Sequence, residues 1–183
     1  MTDISAPRWG WALTGSGHFL TESLALIRAL RDVDLFVSRA ADEVVRQYHS
    51  RLELPESVRL YRDTAASSPP VGFFYHGLYH TLVLAPATSN TVAKCVYGIS
   101  DTLATNVFAQ AGKCRVPCIV FACDTAPEME TEAPEGTVRV YPRRIDLENT
   151  RRLSDFEATT VVETLPALQA ALGERRRVLG QDG

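Results

Sequence analysis

The sequence predicts a single α/β domain in which a doubly wound, mostly parallel sheet forms the middle of three layers. Two observations support this prediction. Short apolar runs alternate with segments that repeat apolar residues at helical spacing, and a length of 183 residues suits one compact domain. Such alternation is typical of βαβ units, which place helices on both faces of a parallel sheet. The composition agrees, since 45% of the residues are hydrophobic and 22% are charged.

The first two units lie near the amino terminus. Residues 8–13 form an apolar run that ends in the turn 14–17, and apolar residues then recur at helical spacing from 20 to 30. Residues 34–38 form a second apolar run, and residues 40–51 show helical spacing again. We therefore expect strand, loop and helix twice in succession.

The later units follow the same order. A third strand is expected at 81–85, where Pro86 ends it, and a helix is expected at 91–97. A second helix-like segment at 103–112 precedes a fourth strand at 118–122. These elements complete the parallel sheet, for which we expect a flavodoxin-like strand order.

Two segments interrupt this alternation. Residues 63–72 are rich in Ser, Ala and Pro, and residues 124–136 are acidic with several prolines, so both are interpreted as loops. Neither separates two domains, and the whole chain, 1–183, is expected to form one. A last helix is predicted at 165–172, with a flexible tail at 174–183.

Charge and hydropathy exclude several functions. The formal net charge of -3 gives no indication of a polyanionic partner, so we expect no nucleic acid. No apolar run approaches the roughly 18–20 residues of a membrane span, and the first residues do not resemble a cleavable leader. We therefore expect a cytoplasmic protein that does not associate with membranes.

Four cysteines leave the redox chemistry open: Cys95, Cys114, Cys118 and Cys123. Three of them follow a C-x3-C-x4-C spacing, whereas zinc and iron–sulfur sites usually contain tighter C-x2-C pairs. We interpret the cysteines as small buried side chains and expect no metal site.

Polar residues directly follow the predicted strands, where parallel α/β sheets bind ligands. Gly15, Ser16 and Gly17 lie in the first such turn and suit a phosphate, although the same turn also fits a simple tight corner. Leu20 stands where the third glycine of a dinucleotide fingerprint would lie. Ser38, after the second strand, fits either a helix cap or a ligand contact.

The loop after the third predicted strand is more specific. It places Thr88, Ser89, Asn90 and Thr91 in consecutive positions, and these side chains offer a phosphate or a flat ring many donors and acceptors. A further polar cluster, Ser100 to Thr102, follows the next helix.

These motifs resemble a known superfamily. The segments TGSGHFLTESL, APATSNTVAK and GISDTLATN, in that order, are similar to motifs of the homo-oligomeric flavin-containing cysteine decarboxylases, and the similarity spans about residues 8–125. This similarity implies that the protein binds FMN non-covalently. The residues expected to contact its phosphate and ribityl chain are Gly15, Ser16, Gly17 and Ser38; those expected around the remainder are Thr88, Ser89, Asn90, Thr91, Ser100, Asp101 and Thr102.

The decarboxylase branches fit less well. Their catalytic histidine would fall near Gly72, while His76 and His80 lie at displaced positions. The basic and aromatic determinants of the prenylating branch are not found either. A flavin-dependent cysteine decarboxylase is therefore the weaker alternative.

The carboxyl-terminal half is similar to the branch of archaeoflavoproteins and dihydromethanopterin reductases, through residues 123–157 with the motif VYPRRIDLEN. This resemblance implies FMN-mediated reduction of a pterin, dihydromethanopterin, to tetrahydromethanopterin. The alternative is an electron carrier partnered by a ferredoxin. The resemblance also implies that the protein forms homo-oligomers, as trimers or assemblies of trimers, with the flavin between subunits.

The sequence identifies neither the electron donor nor a catalytic residue. NAD(P)H and an iron–sulfur protein remain candidate donors. Two groups of side chains are open to either a ligand-binding or a structural role. The first group is Tyr75, His76, Tyr79 and His80, which suits stacking on a ring; the second is Arg139, Arg143 and Arg144, which suits an anionic pterin tail or the acidic loop.

Overall fold

The computed structural model describes residues 6–48, 52–64, 69–133 and 135–181. The strands are β1 (Arg8–Leu13), β2 (Val33–Val37), β3 (Val58–Arg62), β4 (Tyr79–Ala87), β5 (Cys118–Ala122), β6 (Met129–Ala133), β7 (Gly136–Val140) and β8 (Thr159–Val162). The helices are α1 (Leu20–Ala29), α2 (Arg39–Tyr48), α3 (Pro69–Gly72), α4 (Ser89–Val96), α5 (Leu103–Lys113), α6 (Arg144–Ser154) and α7 (Leu165–Val178), with a 3₁₀ turn at Phe73–His76.

Six parallel strands form the main sheet in the order β3-β2-β1-β4-β5-β8. The predicted class, a doubly wound parallel sheet between two helical layers, is confirmed. Within that class β3 lies at the edge beyond β2, whereas a flavodoxin order inserts the third strand beside the first. β1 and β4 are therefore direct neighbours, and the sheet changes winding direction between them.

Two apolar clusters cover the two faces of the sheet. Alternate strand residues such as Trp11 and Leu35 pack with α1, α2 and α7, while Phe36 and Leu84 point to the opposite face and pack with α4, α5 and α6. The residues of each strand divide between the two clusters because successive strand side chains point to opposite faces. Trp11 also donates its indole N–H to the carbonyl of Ala85, 2.7 Å away, which ties β1 to β4.

A buried ionic network lies at the amino-terminal edge of the sheet. Asp34 is fully buried, and its carboxylate accepts hydrogen bonds from Arg8 Nε at 2.6 Å and from the Tyr79 hydroxyl at 2.9 Å. Arg8 also donates to the backbone carbonyls of Val33 and Ser57. Burial, with the nearby Asp34 carboxylate, raises the pKa of Tyr79, so this residue is neutral and acts as a donor.

The structure corrects several element predictions. β4 continues through Pro86 to Ala87, with a register irregularity between Leu84 and Ala87 that accommodates the proline. The segment interpreted as an acidic loop contains β6, which pairs with β7 in a separate antiparallel hairpin. The segment 63–72, also interpreted as a loop, contains α3 at its end. Elements β3, β7, α6 and β8, and the 3₁₀ turn at Phe73–His76, were not predicted at all.

The last helix is longer than expected. It continues to Val178, because Arg175 donates to the Thr81 hydroxyl and the His80 carbonyl and so fastens this end to the sheet. Residues 49–51 of the second predicted helix and residues 182–183 of the predicted tail lie outside the described residues. In the described parts of the chain, no helix combines the length and apolar character that a bilayer crossing requires.

Candidate functional site

Two loops meet at the carboxyl-terminal edge of the sheet, where β1 and β4 end. Thr14 follows β1 and is 2% exposed; its hydroxyl donates to the Pro86 carbonyl at 2.7 Å and accepts the Thr88 backbone N–H at 3.0 Å. The glycine turn and the Thr88–Thr91 loop, which are distant in sequence, therefore lie side by side at the point where the winding direction changes. Ligands of doubly wound sheets bind at such a crevice.

The two glycines of the turn lie close to α2. A Cβ atom on Gly15 would lie 2.6 Å from the Ala40 Cβ, a distance that real Cβ contacts essentially never show, and 3.3 Å from the Ala40 carbonyl carbon. One on Gly17 would lie 2.4 Å from the Tyr48 hydroxyl, which is the end of a side chain that can move. The close approach of the turn to α2 therefore requires glycine at position 15.

Ser16 lies between these glycines and connects the turn to β5. Its hydroxyl donates to the His18 carbonyl at 3.1 Å and lies 3.5 Å from the Cys123 thiol, which donates to it. Burial raises the pKa of Cys123 to about 12, so the sulfur remains a protonated thiol. Cys123, interpreted from sequence as a buried side chain, thus directly supports the turn.

The first turn of α4 carries the polar cluster predicted after β4. Thr88 is the N-cap and accepts the Thr91 backbone N–H at 3.3 Å, while the Ser89 hydroxyl donates to the Asp124 carboxylate. Asn90 is exposed and makes no hydrogen bond with the described residues, so its amide is available to a ligand. Thr91 is buried, and its hydroxyl lies 3.1 Å from that of Thr88.

Ser38 acts as a helix cap. Its hydroxyl accepts the Ala41 backbone N–H at 3.1 Å, and its own N–H donates to the Leu13 carbonyl. It is 6% exposed. Of the two roles that its sequence position suggested, the structure shows capping of α2, and a ligand contact stays a prediction.

The Ser100–Thr102 segment connects the end of α4 to the start of α5. Thr102 caps α5 through a capping box with Thr105, and Asp101 forms an ion pair of 2.9 Å with Lys94. Ser100 lines an apolar groove between α4 and α5. No hydrogen bond within the described ranges joins Ser100 or Asp101 to the glycine turn, and contacts of this segment with a cofactor stay a prediction.

Two acidic residues at strand ends were missed as candidate site residues. Asp63 follows β3 and accepts the Leu103 backbone N–H at 3.0 Å, which anchors the start of α5. Asp124 follows β5 and orders Ser89. Their position after an apolar strand could have identified them as candidate site residues. Both residues, however, lie in segments whose proline content indicated loops.

Carboxylates surround His18 beside the turn. Burial lowers the pKa of His18, and the carboxylates of Glu132, Glu22 and Asp124 oppose this shift. The buried Nδ1 of His18 and Oε2 of Glu22 have no partner among the described residues. The hairpin residue Glu132 therefore lies close enough to influence the glycine turn electrostatically.

The aromatic and histidine group was left open to stacking on a ring or to a structural role, and its members Tyr79 and His80 lie away from this edge. Tyr79 is buried in the Asp34 network, and the His80 ring packs edge-on against Trp9 at a centroid distance of 4.8 Å. Both residues begin β4, roughly 25 Å of strand away from Thr88 at about 3.3 Å per residue. Tyr75 is exposed and donates to Gln110.

The three candidate arginines form ion pairs with nearby acidic side chains. Arg139 contacts Glu128 of the acidic segment at 3.1 Å, and Arg144 contacts Glu148. Arg143 forms a bidentate contact with Asp146 at the start of α6, and these hydrogen bonds lower the pKa of Asp146. These contacts favour the interpretation of the arginines as surface charges.

The cysteines are free thiols in the structure. Cys95, Cys118 and Cys123 are buried and Cys114 is half-buried, so the predicted burial holds for three of the four. Burial raises the pKa of Cys95 and Cys118 to about 12. Protonated thiols of this kind are poor nucleophiles.

Hydroxyl groups, backbone amides and a helix N-terminus converge between the ends of β1 and β4. This combination defines an α/β protein with a phosphate-binding edge, suited to a nucleotide or a related cofactor. The chain matches the model of the Flavoprotein family over residues 1–176, and it belongs to that family.

Named relatives include a reductase. A dihydromethanopterin reductase (acceptor) from Methanosarcina mazei is 39% identical over 145 residues, which is 72% of this chain and 61% of that protein. A second one, from Methanocaldococcus jannaschii, is 41% identical over 128 residues, 62% of this chain and 52% of that protein. The chain therefore spans only about half to three fifths of these two relatives.

Solved structures show the same fold. Burkholderia xenovorans DmrB, crystallised in complex with FMN and described as a cubic protein cage for redox transfer, is 54% identical with a TM-score of 0.86; the match covers 95% of this chain and 97% of DmrB. Phenylacrylic acid decarboxylase from Aquifex aeolicus is 22% identical with a TM-score of 0.65, covering 86% of this chain and 81% of that one, and shares the fold alone.

Proposed function

We propose that this protein is an FMN-dependent reductase of dihydromethanopterin. The observation that carries the proposal is the edge where β1 and β4 end, at which Thr14 joins the glycine turn to the Thr88–Thr91 loop. The relatives named as dihydromethanopterin reductases, and the FMN complex of DmrB, support the cofactor and the substrate class.

The residues at this edge fit a phosphate-bearing cofactor. The exposed amide of Asn90 makes no hydrogen bond with the described residues. Ser16 lies between Gly15 and Gly17, which have no side chains to cover the backbone of the turn. The start of α4 adds backbone N–H groups and a favourable dipole for an anion. In the proposed holoprotein Gly15, Ser16 and Gly17 hold the phosphate, while Thr88, Ser89, Asn90 and Thr91 orient the rest of FMN.

FMN, when bound, supplies the hydride that a pterin C=N bond needs. The side chains of this chain bind and orient it: Thr14 holds the two loops together, and Asp124 fixes Ser89. We further propose that electron donor and pterin use the site in turn, so that steady-state rates follow a ping-pong pattern.

Ser100, Asp101 and Thr102 need a separate proposal. They connect α4 to α5, and no hydrogen bond between them and the glycine turn is found in the described ranges, so we propose that they contact the flavin of a neighbouring subunit in a homo-oligomer assembled from trimers. The cage described for DmrB and the dodecamer described for an Escherichia coli relative with the same fold support an assembly.

Reoxidation of the reduced flavin tests the reductase assignment. The purified protein, reduced anaerobically, is mixed with dihydromethanopterin in a stopped-flow spectrometer, with buffer as the control. We expect the flavin absorbance to return faster with the pterin than with buffer. If only an oxidised ferredoxin reoxidises the flavin, the protein is an electron carrier. Two further compounds test the decarboxylase alternative: phosphopantothenoylcysteine and a peptide ending in cysteine. Neither should release carbon dioxide when it is mixed with the protein.

A further inference from the structure

His18 lies directly beside the glycine turn. Its backbone carbonyl accepts a hydrogen bond from the Ser16 hydroxyl at 3.1 Å, which ties the histidine to the turn. The His18 ring contacts the Phe19 ring at a centroid distance of 3.7 Å, and Phe19 packs on Phe121 of β5 at 4.6 Å. The half-buried imidazole is therefore held at the carboxyl-terminal edge of the sheet, next to the candidate cofactor loops.

Phe19, the next residue, has an unusual backbone conformation. Its φ of 61° lies in the left-handed region, where a bulky side chain is an outlier, and it begins α1 without a side-chain cap. Such strain persists only where the surrounding structure enforces it, and it is concentrated at functional sites. At this position it sets the direction in which the chain leaves the glycine turn, and with it the position of the His18 ring.

Two buried atoms beside the turn lack hydrogen-bond partners among the described residues. They are Nδ1 of His18 and Oε2 of Glu22, whose carboxylate is close enough to raise the pKa of His18. The other ring nitrogen, Nε2, makes no hydrogen bond within the described chain and is the one that a ligand can reach. An imidazolium donates from both nitrogens at once, whereas a neutral imidazole donates from one. Only charged His18 can therefore satisfy Glu22 through Nδ1 and still donate to a ligand through Nε2.

Carboxylates are the charged groups that act on His18. They are Glu132 of β6, Glu22 of α1 and Asp124 after β5. Arg143 also lies near Asp124, but a bidentate contact with Asp146 holds its guanidinium. A phosphate dianion at the glycine turn would therefore meet several like charges, which repel it at close range. A cation beside the turn offsets this repulsion, and His18 is a described side chain at that position that can become one.

We propose that FMN binding is coupled to protonation of His18, whose imidazolium pairs with the FMN phosphate through Nε2 and with the Glu22 carboxylate through Nδ1. The inference rests on the proposed function, because it takes the glycine turn as the phosphate site. Without a ligand, burial lowers the pKa of His18 and the ring is mainly neutral at pH 7. A bound dianion raises that pKa, since an opposite charge favours the charged form. Binding therefore takes up a proton from the solvent, and the affinity falls as the pH rises between the two pKa values.

Flavin titrations of the full chain, freed of flavin by dialysis, test this coupling. Dissociation constants are measured by flavin fluorescence from about pH 6.5 to about pH 8.5, where the phosphate is mainly a dianion because its second pKa is about 6. We expect FMN binding to weaken as the pH rises, by up to roughly tenfold per pH unit, the limit for one coupled proton. Riboflavin, which lacks the phosphate, should show no such slope. Calorimetry in HEPES and in Tris should report proton uptake with FMN and none with riboflavin.

Three variants assign the proton to His18. His18→Gln keeps a polar side chain that cannot be charged, so it should remove the pH slope for FMN and leave riboflavin binding unchanged. His76→Gln makes the same change at an exposed histidine of the 3₁₀ turn and should match the wild type. Glu22→Gln retains His18 but removes a carboxylate that raises its pKa, so the slope should move to lower pH. Circular dichroism checks folding, and Glu22→Gln carries the test if His18→Gln does not fold.

The outcomes distinguish this inference from the proposed function. An FMN affinity that does not change with pH would overturn the coupling while FMN binding itself stands. An equal slope in His18→Gln, or with riboflavin, would overturn it as well, because the titrating group would then be neither His18 nor a partner of the phosphate. A wild type that binds neither flavin at any pH would contradict the proposed function together with the inference.

Discussion

The hydroxyl of Thr14 accepts the backbone N–H of Thr88 at 3.0 Å while it donates to the Pro86 carbonyl at 2.7 Å. Seventy-four positions separate Thr14 from Thr88 in the sequence. This one buried side chain joins the loop after β1 to the loop after β4, so both candidate cofactor loops depend on its geometry.

Replacement of Thr14 by valine tests this role. Valine keeps the shape of threonine but leaves the Thr88 N–H and the Pro86 carbonyl unsatisfied in a buried position, and each such loss costs about 1–3 kcal/mol. We expect a lower free energy of unfolding in urea and weaker FMN binding. Thr14→Ser, which retains the hydroxyl, should stay close to the wild type in both measurements, and equal damage by both variants would contradict the hydrogen-bond explanation.

Substitution of Asn90 should weaken FMN binding, whereas substitution of Thr88 should lower the stability of the fold. The exposed Asn90 amide makes no hydrogen bond within the described chain, so Asn90→Ala should weaken FMN binding, measured by flavin fluorescence, with an unchanged unfolding midpoint. Thr88→Ala removes the N-cap of α4 and should cost about 1 kcal/mol of stability. Unchanged flavin affinity in Asn90→Ala would exclude this residue from the cofactor site.

The packing of the glycine turn against α2 predicts a compensating pair. Gly15→Ala should destabilise the protein, since the new methyl group would lie 2.6 Å from the Ala40 Cβ. Ala40→Gly removes that atom at a cost of about 1 kcal/mol for glycine in a helix. The double variant should be more stable than the sum of the two single effects, and simple additivity of the unfolding free energies would contradict direct contact.

His80 predicts a pH dependence of stability. Burial, with Arg175 nearby, lowers its pKa to about 4 from an ordinary value of 6.5. Between these values the unfolded chain binds a proton that the folded chain does not bind, so stability decreases as the pH falls from 6.5 towards 4. Above pH 6.5 both states are neutral at this residue, and it contributes no slope.

His80→Phe isolates this contribution, because a phenyl ring can retain the edge-on contact with Trp9. The unfolding free energy, measured at several pH values, should lose a slope that corresponds to about one proton per chain in this window. Carboxylates such as Asp146 titrate in both proteins and cancel in the difference. An identical pH profile for wild type and variant would show that His80 titrates normally in the folded protein.

Much of the fold follows from local pattern. The alternation of apolar runs with helical spacing predicted β1, β2, β4 and β5 together with α1, α2, α4 and α5, because buried strands and amphipathic helices have distinct periods. The hairpin strand β6 was missed because it lies in the segment 124–136, whose glutamates and prolines indicate a loop. Helix α6 was missed because its exposed arginines conceal the few residues that it buries.

The sequence by itself determined the fold class and the polar loops at the strand ends, because both depend on residues that are near one another in the chain. Only the tertiary structure decided which loops lie side by side. Strand order sets which carboxyl ends are neighbours, and that order places Thr14 beside Thr88. His80 lies at the opposite edge of the sheet from Thr88, because the nine-residue strand β4 separates the two residues despite their closeness in sequence.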